Sequence, residues 1–240
     1  MLSYNNDPEL KAIHVAQAKH HYEADMLLSG TYGRMDDKEF HGCSIGCFAF
    51  EIDPRRAMNQ EGLHRLVAEN RHLPLWLMYL QDRIFEGLPK GERGKWHMQL
   101  AEAVPVGVDL EPVRHLLNMR RMKRLVVLLN GRKGKHGEKV DVVIEGSIAA
   151  IEEVHNASEV ASTGGKPDWK AVREKSWSAR RAAAAAADAA ADAAAYAAAA
   201  DAAAYAADAA DAAAYTYAAR TKSYQAERDD LLDILKSMTA

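Results

Sequence analysis

The stretch PLWLMYLQDRIFEGLP, residues 74–89, has the pattern of one complete α-helix. Pro74 suits the start of a helix, where its missing N–H is not needed for a hydrogen bond. Gly87-Leu88-Pro89 ends the helix. Outward from this stretch, apolar residues recur at helical spacing and predict further helices over 57–71, 92–103 and 111–123. Another helix is expected after Asp7 and Pro8, which suit a cap and a first turn. The fold is therefore predicted to be a compact, mainly α-helical domain.

A small β-hairpin is expected near 124–145. Residues 125–129 and 140–144 are rich in Val, Leu and Ile, and a loop rich in Gly and Lys separates them. Two such runs around a Gly-containing loop are typical of a hairpin. We therefore expect residues 1–157 to form one globular domain with this hairpin, and 158–167 to be a linker.

The C-terminal part, 168–240, contains neither Gly nor Pro, and 182–219 is almost entirely Ala, with Asp and Tyr interspersed. Ala is the best helix former, so this part is predicted to be one long helix. Its Asp-Ala-Ala-Ala-Tyr repeats wind around the helix and make no coiled-coil stripe. The helix is then either solvated or packed closely against copies of itself; an ordered ligand-binding face is disfavoured. We expect a homo-oligomer formed through this helix. Because the helix offers few large core side chains, truncation at Gly165 should leave a folded body.

Charge and composition exclude several classes of protein. The 240 residues carry 31 Lys and Arg against 34 Asp and Glu, a formal net charge of −3, so a globally basic nucleic-acid binder is not indicated. No run approaches the roughly 18 apolar residues of a membrane span, and no signal peptide is visible. Two cysteines without a secretion signal favour a reducing compartment. The chain is thus expected in the cytoplasm, away from membranes.

The loop Gly42-Cys43-Ser44-Ile45-Gly46-Cys47 is predicted to lead into a short helix. Small residues at a helix start leave backbone N–H groups free to face an anion, and the Ser44 hydroxyl adds a donor. The segment 114–139 is strongly basic and could supply countercharge, although a solvated face is the alternative. It lacks interleaved aromatic residues, so a nucleic-acid partner is not expected. The predicted site for a phosphorylated small molecule consists of Gly42, Cys43, Ser44, Gly46, Arg120, Arg121 and Arg124.

Other side chains allow enzyme chemistry. His41, Cys43 and Cys47 are the candidate metal ligands, although zinc would need a fourth ligand and the spacing is not C-x2-C. The two cysteines are otherwise small buried hydrophobes, and no cofactor is expected. His21 and Asp25, four residues apart, can orient an imidazole for general base chemistry, and with His41 they are the candidate catalytic residues. Asp82 and Glu86 have the same spacing, and a solvated helix face is the favoured interpretation of them.

Several strings together resemble a family of uncharacterised proteins encoded by bacteriophages and prophages. The resemblance covers about residues 4–117 and the Ala-rich tail, and it implies an accessory phage protein in the cytoplasm of a bacterial host. The strings are Tyr4-Asn5-Asn6-Asp7, His21-x3-Asp25, Gly30-Thr31-Tyr32, Gly42-Cys43-Ser44-Ile45-Gly46-Cys47, Asp82-Arg83-Ile84-Phe85-Glu86-Gly87-Leu88-Pro89 and Val106-Gly107-Val108-Asp109-Leu110.

Three functions follow as hypotheses. The favoured one is a counter-defence protein that sequesters a phosphorylated small molecule, such as a nucleotide immune signal, without catalysis. A metal- or His-dependent hydrolase is the second. A structural protein that oligomerises without a small-molecule ligand is the third.

Overall fold

The structure is a computed structural model that describes residues 1–135, 137–178, 181 and 205–238. Helices dominate these residues, as predicted, and a two-stranded antiparallel hairpin is the sheet that they contain. A 3-10 helix, Ser3–Asn6, precedes the other elements. These are α1 (Pro8–Glu23), β1 (Arg34–Asp36), β2 (Glu39–His41), α2 (Ser44–Ile52), α3 (Pro54–Asn59), α4 (Leu63–Arg71), α5 (Leu75–Gly87), α6 (Lys90–Ala103), α7 (Glu111–Asn130), α8 (Glu138–Ser162), α9 (169–178) and α10 (Tyr205–Ser237).

The helix signals in the sequence are confirmed in detail. The Asp7 carboxylate caps α1 by accepting the backbone N–H of Glu9 at 2.8 Å. The predicted helix over 57–71 is divided into α3 and α4, because Gln60 and Gly62 both adopt left-handed backbone conformations. Such a conformation interrupts a right-handed helix.

The chain divides into two compact units, which differ from the division predicted from the sequence. The first consists of Met1–Glu111 together with Ala219–Ala240, and the second is Pro112–Ala218. The predicted linker also shortens, because α8 continues to Ser162 and α9 begins at 169.

Helix α2 lies at the centre of the first unit and contacts α3, α4 and α5, while α1 packs against α6. Its sequence, SIGCFAFEI, is apolar on nearly all sides, as expected of a buried helix. Segment 30–33 crosses α2 so closely that a Cβ on Gly46 would lie 1.5 Å from the Tyr32 carbonyl oxygen. Glycine is therefore required at this crossing, which brings residues 30–32 beside the start of α2.

The predicted hairpin near 124–145 is wrong. That segment is the end of α7, a turn and the start of α8. In the turn, the Gly134 N–H donates to the Asp141 carboxylate at 2.9 Å. Short apolar runs do not distinguish a strand from a helix by themselves, and the basic residues around them are good helix formers.

The actual hairpin joins β1 and β2 through Asp37 and Lys38. Both residues have positive φ, 46° and 75°, between the paired residues Asp36 and Glu39. Positive φ at both central residues is the geometry of a two-residue type I′ turn. Because neither residue is Gly, the usual sequence signal of this turn is absent.

The last part of α10 contributes to the core of the first unit. Leu231, Ile234 and Leu235 are at most 2% exposed. The expectation that the C-terminal part offers few large core side chains is therefore wrong, and with it the reason for expecting a folded body after truncation at Gly165.

The predicted long helix is helical over α9 and α10, whereas 179–180 and 182–204 lie outside the described residues. Its self-association stays a prediction. Within the described ranges, no helix is both long and apolar enough to cross a membrane.

Candidate functional site

A cleft of about 540 Å³ lies between segment 30–32, the start of α2 and one face of α5. Segment 30–32 forms one wall, because it crosses α2 at Gly46, and Asp82 and Glu86 of α5 form another. Seven residues line the cleft: Gly30, Thr31, Tyr32, Cys43, Gln60, Asp82 and Glu86.

Three potential metal ligands meet in this cleft. The Cys43 Sγ and one carboxylate oxygen each of Asp82 and Glu86 all lie within 4.8 Å of one another. Asp82 and Glu86 share a face of α5 because they are four residues apart. Cys43 precedes α2, where its sulfur caps the helix by accepting the Gly46 N–H at 3.4 Å. This group is the one cluster of three or more such side chains found in the described part of the chain.

Each of the two carboxylates also contacts a group outside this cluster. Glu86 Oε2 accepts the Gly30 N–H at 2.9 Å. Asp82 Oδ2 lies 3.1 Å from His64 Nε2, and the His64 ring is stacked on Tyr79. The other Asp82 oxygen, Oδ1, is buried. In addition to burial, a side-chain hydrogen bond between Asp82 and the Cys43 thiol contributes to the raised pKa of that thiol.

The cluster disfavours negative charge in the absence of a cation. Burial raises the pKa of the Cys43 thiol, and the neighbouring Asp82 charge raises it further. Burial also raises the pKa of Glu86, although the Gly30 N–H opposes this shift. A divalent ion would stabilise the anionic form of all three groups together.

The donor set favours a transition metal. Thiolate ligands suit zinc and related ions, whereas Mg²⁺ and Ca²⁺ prefer sites made of oxygen atoms alone. His64 would then act as a partner of the ligand Asp82, because its Nε2 lies 3.1 Å from Asp82 Oδ2. Three protein ligands leave at least one coordination position open.

Most residues of the predicted anion-binding loop do not line the cleft. Gly42, Ser44 and Gly46 are buried, and of the four loop residues in that prediction only Cys43 lines the cleft. The Gly42 N–H donates to the Met26 carbonyl at 3.0 Å and the Gly46 N–H faces the Cys43 sulfur. These groups face protein atoms, and acidic side chains line the cleft beside them. Arg120, Arg121 and Arg124 lie on α7 in the second unit, so their part in a ligand site stays a prediction.

The alternative metal ligands are not brought together. His41 is on β2, and the Cys47 thiol faces the Gly42 carbonyl oxygen at 3.5 Å. Neither belongs to the cluster that contains Cys43. Asp82 and Glu86, interpreted from the sequence as a solvated face, lie beside Cys43 instead; Asp82 is half-buried, whereas Glu86 is exposed. Their spacing was the available signal, but Cys43 lies 39 positions before Asp82, so no local pattern could reveal the third potential ligand.

The candidate pair His21 and Asp25 also separates. Asp25 follows the end of α1 with a φ of 52°, whereas the His21 side chain is fully buried. His21 Nδ1 lies 3.2 Å from His97 Nε2 instead. The predicted general base is therefore a core residue without access to a substrate.

His21 belongs to a buried polar chain that the sequence did not indicate. Gln81 Nε2 donates to Ser44 Oγ at 2.6 Å, and Ser44 Oγ lies 2.8 Å from His97 Nδ1. At the other end, His21 Nε2 faces Glu51 Oε1 at 3.6 Å. Although Gly42–Gly46 has the letters of a Gly-x-Ser-x-Gly nucleophile motif, Ser44 is fully buried and has no positive φ. We therefore interpret these hydrogen-bonded side chains as part of the buried core and not as a catalytic site.

No family model, curated protein or solved structure matches this chain.

Proposed function

We propose that the cleft binds a divalent transition-metal ion through Cys43, Asp82 and Glu86, and that the bound ion holds a phosphorylated small molecule. The main observation in support of a metal site is that the three potential ligand atoms lie within 4.8 Å of one another. The burial of Asp82 Oδ1 adds to this argument, because a bound cation would offset the cost of burying that carboxylate.

The phosphorylated ligand follows from the open coordination positions. A free phosphate would be repelled by Asp82 and Glu86, whereas an ion between them offers a position that a phosphate oxygen can fill. A volume of about 540 Å³ lies in the range of small-molecule sites. The Tyr32 side chain on the cleft wall offers a face for a ring of the ligand. Sequestering such a molecule in a bacterial host is the role that we propose.

Metal-dependent hydrolysis is the second candidate. Three protein ligands and an open position are the arrangement of catalytic zinc sites, where the fourth position holds a reactive water. Steady release of p-nitrophenol from p-nitrophenyl phosphate by the metal-loaded protein would favour hydrolysis over sequestration.

Co²⁺ titration of the full chain tests the metal site. A thiolate-to-Co²⁺ charge-transfer band should saturate at one ion per chain, because Cys43 supplies the sulfur. Asp82→Asn should weaken Co²⁺ binding by about tenfold or more, and Cys43→Ser should abolish the band. Cys47→Ser is the matched control, since Cys47 lies one helical turn away and outside the cluster.

Two results would contradict the proposal. The metal site is wrong if the wild-type protein gives no charge-transfer band, or if Cys43→Ser retains it. The ligand part is wrong if AMP and inorganic phosphate leave the spectrum of the Co²⁺ form unchanged.

A further inference from the structure

We infer that α10 positions the metal ligands of α5, through contacts with the residues that directly follow each ligand. This inference rests on the proposed metal site. The contacts involve Arg83, next to Asp82, and Gly87, next to Glu86. All of them lie within the first unit.

The first contact is an ion pair. Arg83 Nη2 donates to Glu227 Oε1 at 2.7 Å, and the Glu227 side chain is only 7% exposed. The ion pair joins this buried carboxylate to Arg83, whose side chain is about half exposed. The position of Glu227 on α10 is therefore tied to the turn of α5 that carries Asp82.

The second contact is a close approach of an aromatic ring to the backbone. A Cβ on Gly87 would lie 2.1 Å from a ring carbon of Tyr224. The Tyr224 ring therefore occupies the space that a side chain at position 87 would need. The Tyr224 ring thus packs against the last turn of α5, next to Glu86.

A third set of contacts holds α10 on the other side of the Gly87-Leu88-Pro89 corner. Glu92 of α6 accepts from Gln225 Nε2 at 2.7 Å and is paired with Arg228. These contacts hold α10 against α6, and Leu231 and Leu235, farther along α10, are fully buried. A displacement at Tyr224 would therefore be transmitted to α5.

The consequence concerns the ligand geometry. Asp82 and Glu86 are carried by α5, whereas Cys43 is carried by α2, so a small shift of α5 changes both carboxylate distances to the sulfur. Groups that hold a metal ligand from behind typically change metal affinity by about 10- to 100-fold when they are altered. Tyr224 and Glu227 are thus positioning residues for the site.

Gly87→Ala in the full chain tests this inference, because its methyl group collides with Tyr224. We expect Co²⁺ binding to weaken by about tenfold. Gly91→Ala is the matched control, since no atom lies within 4 Å of its added methyl group. The double variant Gly87→Ala/Tyr224→Ala removes the collision and should recover most of the lost affinity. Glu227→Gln keeps the shape of the side chain and should also weaken Co²⁺ binding. It tests the same inference if Gly87→Ala does not fold.

Amide hydrogen exchange at Gly30 gives a readout without metal. The Gly30 N–H donates to Glu86, so Gly87→Ala should accelerate its exchange by about tenfold and the double variant should restore protection. The inference is wrong if Gly87→Ala behaves like Gly91→Ala in both measurements, or if removing the Tyr224 ring restores neither. If no form binds Co²⁺, the proposed metal site fails, and Gly30 exchange alone decides whether α10 positions α5.

Discussion

Among single residues, the buried histidines of the polar chain stay uncharged near neutral pH. Gln81 Nε2 donates to Ser44 Oγ, which lies 2.8 Å from His97 Nδ1. His97 Nε2 in turn lies 3.2 Å from His21 Nδ1. Burial lowers the pKa of His97 far below its usual range and lowers the pKa of His21 to about 4.

Acid should therefore destabilise the protein below about pH 6.5. Burial, with the charge of Arg71, lowers the pKa of His14 to about 3, so the ring stays neutral in the folded state. The unfolded chain binds a proton at His14 near pH 6.5. Stability is thus complete above this pH and falls as the pH drops toward the folded-state pKa.

His14→Phe removes this contribution and keeps an aromatic ring against Phe48. Between pH 7.5 and pH 5 it should lose about 2 kcal/mol less of its free energy of unfolding than the wild type loses. Urea unfolding at both pH values measures the difference, with His20→Phe on the exposed face of α1 as the control. Equal losses in His14→Phe and the wild type would contradict the assignment.

Among the secondary-structure elements, local sequence signals predicted the helices well. They predicted strand pairing and contacts between distant residues poorly. Pro74 and Gly87-Leu88-Pro89 placed α5 almost to the residue. The actual hairpin turns at Asp37 and Lys38; Asp is common in turns, but Lys38 takes a positive φ in place of the usual Gly. Contacts of β2 with α2, which no local pattern contains, accompany this turn. The candidate site follows the same rule. Asp82 and Glu86 were predictable as neighbours, whereas Cys43 joins them only through packing of α2 beside α5.

The two helical glycines Gly46 and Gly91 should respond oppositely to alanine. Gly46→Ala places a methyl group 1.5 Å from the Tyr32 carbonyl oxygen, and should destabilise the protein by about 3 kcal/mol. Gly91→Ala meets open space in α6 and should stabilise it by about 0.4–1 kcal/mol. Urea denaturation measures both changes, and a neutral Gly46→Ala would show that segment 30–33 does not need to cross α2 this closely.

At the scale of the whole molecule, the first unit is assembled from two distant parts of the sequence. Met1–Glu111 supplies most of it, and Ala219–Ala240 completes it. The sequence could not indicate this, because the Ala-rich tract conceals the apolar spacing of Leu231, Ile234 and Leu235 that follows it.

Leu235→Ala should therefore destabilise the body formed by the N-terminal helices. Removing a fully buried leucine from a core costs about 2–5 kcal/mol. Leu232→Ala is the control, because Leu232 is half-buried and its loss should cost distinctly less. Thermal unfolding of the full-length variants measures both. Equal, small effects would mean that the C-terminal residues are not part of this core.

The return of α10 to the first unit also sets the order in which the protein can mature on the ribosome. Leu231 and Leu235 are synthesised after the whole of Pro112–Ala218. At about 5–20 residues per second, the nascent N-terminal helices wait on the order of ten seconds for their last core side chains. During that interval the surface that α10 will cover is open to chaperones. The proposed metal site should accordingly reach its final geometry only after translation has passed residue 235 and the end of α10 has packed onto the first unit.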